Sequence, residues 1–398
     1  MKRSINRFFI ILSGTLLLAS CEKVVDTENL RFYGDAYEDI GYSVTKAQNG
    51  YQIAGQITRL TRMGNEVKGE LQKLAIIETG PDGVEIRKDT VKSNLVSAGR
   101  KVITLDDGSS VVAGSVLQND QMHVYIVKFA TGGEGYTEKI FNLPGNVYAN
   151  DIIKTTGGYL VLATTDNERG SSDDTGNQKG KKDILLLSLA EDLEIIRSIP
   201  YGFTGNDEGV AVKRDRLGGY IVVGTTDRYR LSTGTDVFIL SVNEDISNVS
   251  AKSGRFIELK EDQNAADFEV TDDGYFIAGN ETSGGKTYGY AWKITGTIWG
   301  TVEHHSIQFD DSFSINAICS YKSTSFLLAG QYGSQSTGSM LIFSTDLLGY
   351  PVEGRRRIAG GTGNQVAYDV ITDGEDIIAV GKNSFDNNSM ITFLKFRF

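Results

Sequence analysis

The stretch GVAVKRDRLGGYIVVGTT, from Gly209 to Thr226, reads as a strand, a tight turn and a second strand in which an apolar run ends on a small residue. Its flanks GVAVKRD and YIVVGTT are rich in β-branched and aliphatic side chains. Gly218-Gly219 between them supplies the positive φ angles that a close hairpin requires. The second strand has six counterparts: YQIAG (Tyr51 to Gly55), SVVAG (Ser110 to Gly114), YLVLA (Tyr159 to Ala163), YFIAG (Tyr275 to Gly279), FLLAG (Phe326 to Gly330) and IIAVG (Ile377 to Gly381). They recur every 49 to 61 residues, a period that marks a blade-by-blade or solenoid array.

The rest of the unit repeats with them. The turn returns as Asn49-Gly50, Asp107-Gly108, Gly157-Gly158, Asp273-Gly274 and Asp373-Gly374. Unit six has Lys322-Ser323-Thr324-Ser325 instead, which predicts a looser hairpin. A third apolar run follows each second strand, as in DILLLSL (from Asp183) and DVFILSV (Asp236 to Val242). These runs are apolar at consecutive positions, the mark of strands covered on both faces. GRFIELK (Gly254 to Lys260) then supplies a fourth strand. No segment keeps an i, i+3, i+4, i+7 apolar spacing, so little helix is expected. Seven four-stranded units predict an all-β, seven-bladed β-propeller. The last unit offers only three strands, ending in Met390 to Phe398. NLRFYG (Asn29 to Gly34) aligns in phase with the fourth strands IPYGF (from Ile199) and RIAGG (from Arg357). The N-terminal strand is therefore predicted to pair with Met390 to Phe398 and close the ring.

RRRIAGGTGNQVAYDVITDGEDIIAVG (Arg355 to Gly381) and YGDAYEDIGYSVTKAQNGYQIAG (Tyr33 to Gly55) resemble the bacterial propeller repeat often written GGxxxDxAxSVxxTxDGGYIxxG. The resemblance runs through all seven units and is clearest in units one, four and seven. Its DxA element is partly kept as Asp39-Ile40-Gly41 and Asp207-Glu208-Gly209, and is lost in units two and six. Members of that group are extracytoplasmic, often lipoproteins, and mostly without assigned activity. The resemblance thus implies the fold, says little of function, and implies that Asp39 and Asp207 pin the turn between blades.

The chain opens with Lys2, Arg3 and Arg7, continues through apolar Phe8 to Leu18, and reaches Leu18-Ala19-Ser20-Cys21. That is the layout of a secretory signal, and the apolar stretch is far shorter than the roughly twenty residues that span a bilayer. Cys21 after Leu-Ala-Ser resembles the lipobox of bacterial lipoproteins, whose thiol is acylated. The sequence divides accordingly into a signal at 1–20, a short tether at 21–28 and a propeller at 29–398. It is expected at the cell envelope, on the outer membrane, with the membrane as a partner through Cys21. Removing residues 1–20 takes away three basic residues and no acid, moving the net charge from −11 to about −14. Such a balance disfavours nucleic acid as a partner. With Cys21 acylated, Cys319 has no partner for an intrachain disulfide.

The three histidines, His123 and the adjacent His304 and His305, suit neither zinc chelation nor a Ser-His-Asp triad, because strand neighbours point to opposite faces. No metal or other cofactor is expected. The oxygen-rich runs Ser171 to Asn177 and Asp386-Asn387-Asn388 suit a calcium ion by residue type but lack EF-hand spacing. Long links between second and third strands, at Gln56 to Glu70, Thr164 to Lys182 and Thr225 to Thr235, are the better pointer to a site, since binding concentrates in loops on a rigid scaffold. They nominate Asn167 and Arg169 in unit three and Asp227, Arg228, Tyr229 and Arg230 in unit four. A tyrosine between two arginines offers ring stacking beside carboxylate recognition. Segments leading into first strands add Tyr37 and Asn206. The reading is an envelope-anchored scaffold binding a protein or glycan ligand on its loop-rich face. The alternatives are a glycan-active enzyme using two channel carboxylates and a structural subunit of an envelope complex.

Overall fold

A computed structural model describes residues 29–34, 37–63, 66–133, 135–167, 182–203, 205–227, 234–247, 253–257, 261–334, 336–360, 363–385 and 388–398, with the side chains of 61–69 set aside. Within them the chain forms seven four-stranded antiparallel sheets. The first strands are Ile40–Ala47, Ser97–Thr104, Val147–Thr155, Asp207–Arg214, Asp262–Thr271, Phe313–Tyr321 and Asn364–Asp373, which number blades one to seven. Each packs beside the next, and blade seven packs beside blade one, so the sheets form a closed ring. The helix among the described residues is a single turn, Thr131–Gly133.

Blade seven is composite. Asn29–Tyr33 pairs antiparallel with Asn388–Phe396, from Asn29 opposite Lys395 to Tyr33 opposite Ile391. Side chains reinforce the seam: the Tyr33 hydroxyl donates to the Gly83 carbonyl of blade one at 2.6 Å, and Phe393 contacts the rings of Tyr33 and Tyr51. The predicted clasp is therefore present.

The apolar runs are explained by seven separate cores, one at each boundary between neighbouring blades. In blade three, Tyr159, Val161 and Ala163 face blade two, whereas Leu160 and Leu162 face blade four. Alternation with period 2 thus buries every residue of the run.

One expectation changes. Gln56 to Glu70 is not a loop: the second strand of blade one continues to Met63 and the third begins at Glu66, so the two project as a long hairpin. Ile57, Thr58, Leu60 and Thr61 favour pairing, and the ladder runs on to Met63 opposite Glu66 through one shift of register between Thr61 and Arg62. The hairpin of blade six is, as expected, looser than the two-residue turns of blades one, three, five and seven. Three residues separate Tyr321 from Ser325, and the Ser325 hydroxyl donates to the Tyr321 carbonyl. Blades two and four carry five-residue turns, at Leu105–Ser109 and Asp215–Gly219, because Thr104 pairs with Ser110 and Arg214 with Tyr220.

Candidate binding site at the channel mouth

The upper face carries the segments leading into first strands and the links between second and third strands. There each first strand holds one extra residue against its neighbour, shifting the ladder between Gly41 and Ser43, Gly99 and Lys101, Ala149 and Asp151, Gly209 and Ala211, Ala265 and Asp267, Ile315 and Ala317, and Ala367 and Asp369. These β-bulges account for the small residue that ends each repeated second strand. Gly55, Gly114, Ala163, Gly224, Gly279, Gly330 and Gly381 stand opposite them. A Cβ on Gly381 would lie 1.8 Å from the Val366 carbonyl oxygen, and one on Gly55 1.9 Å from that of Ile40.

A bulge re-aims the inserted side chain. The inserted residues are Tyr42, Arg100, Asn150, Val210, Ala266, Asn316 and Tyr368, and all but Ala266 line a cavity of about 780 Å³ at the channel mouth. Its walls add Gln56, Gln72, Met122, Tyr148, Thr164, Asp166, Lys182 and Glu208 from blades one to four. The Arg100 guanidinium lies over the Tyr42 ring, 4.2 Å from its centroid, and the Tyr42 and Tyr368 rings are 5.3 Å apart at 45°. Burial raises the Tyr42 hydroxyl above its usual pKa and pushes Tyr368 up to about 12, so both remain hydrogen-bond donors near neutral pH. Arg100 is exposed, and among the described residues no carboxylate lies within ion-pair distance of it. Lys182 is paired with Glu208, and Asp166 accepts two hydrogen bonds from Asn146, so their charges are already engaged.

Beneath the mouth the next residues along the first strands form a polar floor. Asp151, Asp267 and Asp369 each accept the N–H of the following residue with one oxygen. With the other they accept the N–H of Val212, Ile318 or Val44 in the next blade. Asp369 Oδ2 also receives the Ser43 hydroxyl at 2.9 Å and the Lys101 ammonium at 3.3 Å. Lys213 pairs with Glu269 at 2.8 Å. Burial works to lower both lysines, but the surrounding carboxylates outweigh it and hold them above their ordinary range. Burial raises Asp151 to about 6 despite Lys101 and raises Glu269 despite Lys213. It also raises the Cys319 thiol well above its usual range, helped by Glu269 and Asp369, so this cysteine is held as an unreactive thiol.

The residues nominated from sequence fall elsewhere. Asn206 and Asp227 meet: the Asn206 backbone N–H and side-chain amide both donate to the Asp227 carboxylate, and the Asp227 N–H donates to the Asn206 carbonyl. Asn146 and Asp166 make the same clasp in blade three. The Asn167 N–H donates to Thr165 Oγ1. The Tyr37 carbonyl accepts the Ser389 N–H at 2.7 Å, adding to the closing seam. None of these four lines the cavity, although Asn167 adjoins Asp166, which does. Arg169, Arg228, Tyr229, Arg230, Cys21 and the run Ser171 to Asn177 lie outside the described residues, as do Asp386 and Asn387. Asp39 and Asp207 are fully buried and structural in their contacts: Asp39 Oδ1 accepts the Thr58 N–H at 2.7 Å and Asp207 Oδ2 that of Phe203. His304 lies 3.4 Å from Glu281 while the His305 ring packs at a tilt against Tyr350, so the pair faces opposite ways. Among the described residues no three His, Cys, Asp or Glu side chains converge to hold a metal ion. The signal sequence reading missed is positional. In six of the seven blades the mouth residue follows a glycine or alanine of the first strand, Ile315 standing there in blade six, but its type changes from unit to unit.

Comparison with protein-family models gives no match, and comparison with curated proteins gives none either. Among solved structures, Sqt1 of Chaetomium thermophilum is similar over 94% of this chain and 98% of its own, at 11% identity and a TM-score of 0.49. Trypanosoma rangeli sialidase, in complex with the inhibitor DANA, is similar over 80% of this chain and 57% of its own, at 12% identity and a TM-score of 0.44. The β-fructofuranosidase of Schwanniomyces occidentalis, complexed with fructosyl-erythritol, is similar over 94% of each chain, at 10% identity and a TM-score of 0.37. Here the fold rests on the strand pairing itself.

Proposed function

We propose that this chain is a lipoprotein of the cell envelope, held on the outer membrane through acylated Cys21, whose propeller binds an anionic, ring-bearing ligand such as an acidic sugar in the channel mouth. The observation that carries the reading is Arg100: an exposed guanidinium stacked on Tyr42, with no carboxylate partner among the described residues, at the edge of a cavity of about 780 Å³. A guanidinium already oriented by an aromatic face keeps its N–H fork for a carboxylate, sulfate or phosphate. Tyr368 and Tyr42 offer a surface on which a sugar or planar ring packs. Binding is favoured over acid–base hydrolysis because the carboxylates in the wall, Asp166 and Glu208, are committed to Asn146 and Lys182.

The test is a thermal-shift comparison of acidic and neutral oligosaccharides. A ligand at a hundred times its Kd stabilises the folded state by about 2.7 kcal/mol. An upward shift with acidic oligosaccharides alone, lost in Arg100→Gln, is expected. An undiminished shift in Arg100→Gln would place binding elsewhere.

A further inference from the structure

The lower face, opposite the mouth, carries the links between first and second and between third and fourth strands. The repeat serves as its own control there. In blades one, two, three, four and six the third-to-fourth-strand turn is closed by the same backbone bond, Gly83 to Gly80, Gly133 to Ala130, Leu193 to Ala190, Ile246 to Asn243 and Gly349 to Asp346, and Gly300 to Thr297 closes that of blade five. The third residue of this turn is Asp82, Asp192 or Asp245 in blades one, three and four, a charge in water, and Gly132 in blade two. In blade five it is Trp299, and in blade six Leu348. Trp299 is 59% exposed, and Leu347, Leu348 and Tyr350 are 41%, 42% and 53% exposed. Leu217, 63% exposed, extends the arc into blade four, standing where blade two has Asp107.

These apolar tips are held rigidly. Asp346 Oδ1 accepts the N–H groups of Leu348 and Tyr350, both at 2.9 Å. Arg255 donates to the carbonyls of Ile298 and Gly300 on either side of Trp299. The lower turns of blades two and three are instead acidic, with Asp106, Asp107, Glu191, Asp192 and Glu194 all exposed. The lower face therefore has a continuous apolar arc over blades four to six and acidic turns in blades two and three, with Val84, 50% exposed, and Ile195 as separate apolar points in blades one and three.

What covers the arc follows from where the chain enters. Asn29 pairs with Lys395, whose ammonium reaches the Pro81 carbonyl in blade one's lower turn and Asp376 beside blade seven's hairpin, so the N-terminal strand starts at the lower rim. Cys21 is eight residues earlier, a reach of at most about 28 Å. We infer that the lower face is a membrane-docking surface, with Trp299, Leu217, Leu347, Leu348 and Tyr350 entering the bilayer interface and the channel mouth directed away from it. The inference rests on the lipid anchor at Cys21 for its orientation. Trp and Tyr suit the membrane–water interface, and an acyl anchor becomes stable with a second attachment. The net charge of about −14 left when residues 1–20 are removed argues for neutral rather than anionic lipid.

The chain holds two tryptophans, Trp292 fully buried and Trp299 exposed, so emission changes on lipid addition report Trp299. Full-length protein is reconstituted in phosphatidylcholine vesicles carrying brominated chains. Quenching and a blue shift of the exposed tryptophan are expected, both abolished in Trp299→Phe. For an unacylated Cys21→Ser chain, vesicle binding is expected to weaken at least about tenfold in Trp299→Asp. That substitution installs the residue the sister turns already hold, and unchanged thermal unfolding verifies its fold. Absence of quenching in the anchored protein overturns the inference, as does stronger binding to anionic than to neutral vesicles. A native chain whose mass shows no acyl addition contradicts the anchor alone, since quenching by the Cys21→Ser chain still supports the face and its absence there still overturns it.

Discussion

Asp369→Ala removes the carboxylate that ties blade seven to blade one across the closing seam. Four donors lose their acceptor: the N–H groups of Val370 and Val44, the Ser43 hydroxyl and the Lys101 ammonium. Val44, Val370 and Ser43 are buried, and an unsatisfied buried donor costs about 1–3 kcal/mol. The Lys101 side chain is 34% exposed, so water screens its share to under about 1 kcal/mol. Allowing for partial relaxation, the substitution is expected to destabilise the ring by about 3–6 kcal/mol. In a propeller of this size that corresponds to roughly 5 °C or more in Tm, scaling from smaller domains. Thermal unfolding measures the loss, and hydrogen exchange at Val44 locates it. Asp267→Ala is the internal comparison: its bond to Ile318 N–H is longer, at 3.3 Å, so its cost should be smaller. A loss below about 1 kcal/mol for Asp369→Ala, with unchanged exchange at Val44, would refute the reasoning.

Two further outcomes follow from the same geometry. Gly381→Ala places a methyl 1.8 Å from the Val366 carbonyl oxygen, so the bulge that aims Tyr368 must shift; a loss of about 3 kcal/mol in denaturant unfolding is expected, together with altered Tyr368 fluorescence quenching by ligand. Burial raises Asp207 to about 7 from 3.8, with Asp183 and Asp227 adding to the effect, so the folded state holds a proton that the unfolded chain has released. The stability this proton confers is complete below about pH 3.8 and is lost as pH rises through 7. Asp207→Asn is therefore expected to gain stability relative to the native chain between pH 4.5 and pH 8 in paired melts, and a pH-independent difference would contradict the assignment.

The ring and its clasp were legible because they are written in repeated residue types. The seven small residues that end the second strands are required wherever a bulged carbonyl presses on them, and Tyr159 to Ala163 must be apolar throughout because both faces of the blade are buried. The long hairpin of blade one was hidden, since in Gln56 to Glu70 the pairing-prone Ile57, Thr58, Leu60 and Thr61 are interspersed with Arg59, Arg62, Asn65 and Glu66, a mixture that also suits a loop. The mouth was hidden for a different reason. Tyr42, Arg100, Asn150, Val210, Ala266, Asn316 and Tyr368 share a position and not a chemistry, so a search for recurring types passes over them. Asn206 and Asp227 drew notice as polar loop residues, and their clasp shows how the same side chains serve to fasten a first strand to the end of a second.

The most direct test of the mouth as a ligand site is a crystal structure of the protein with an acidic oligosaccharide bound. The carboxylate is predicted within about 3 Å of the Arg100 guanidinium, with a sugar ring packed against Tyr42 or Tyr368. An oligosaccharide bound at the outer rim or the lower face, with the mouth holding solvent alone, would contradict it.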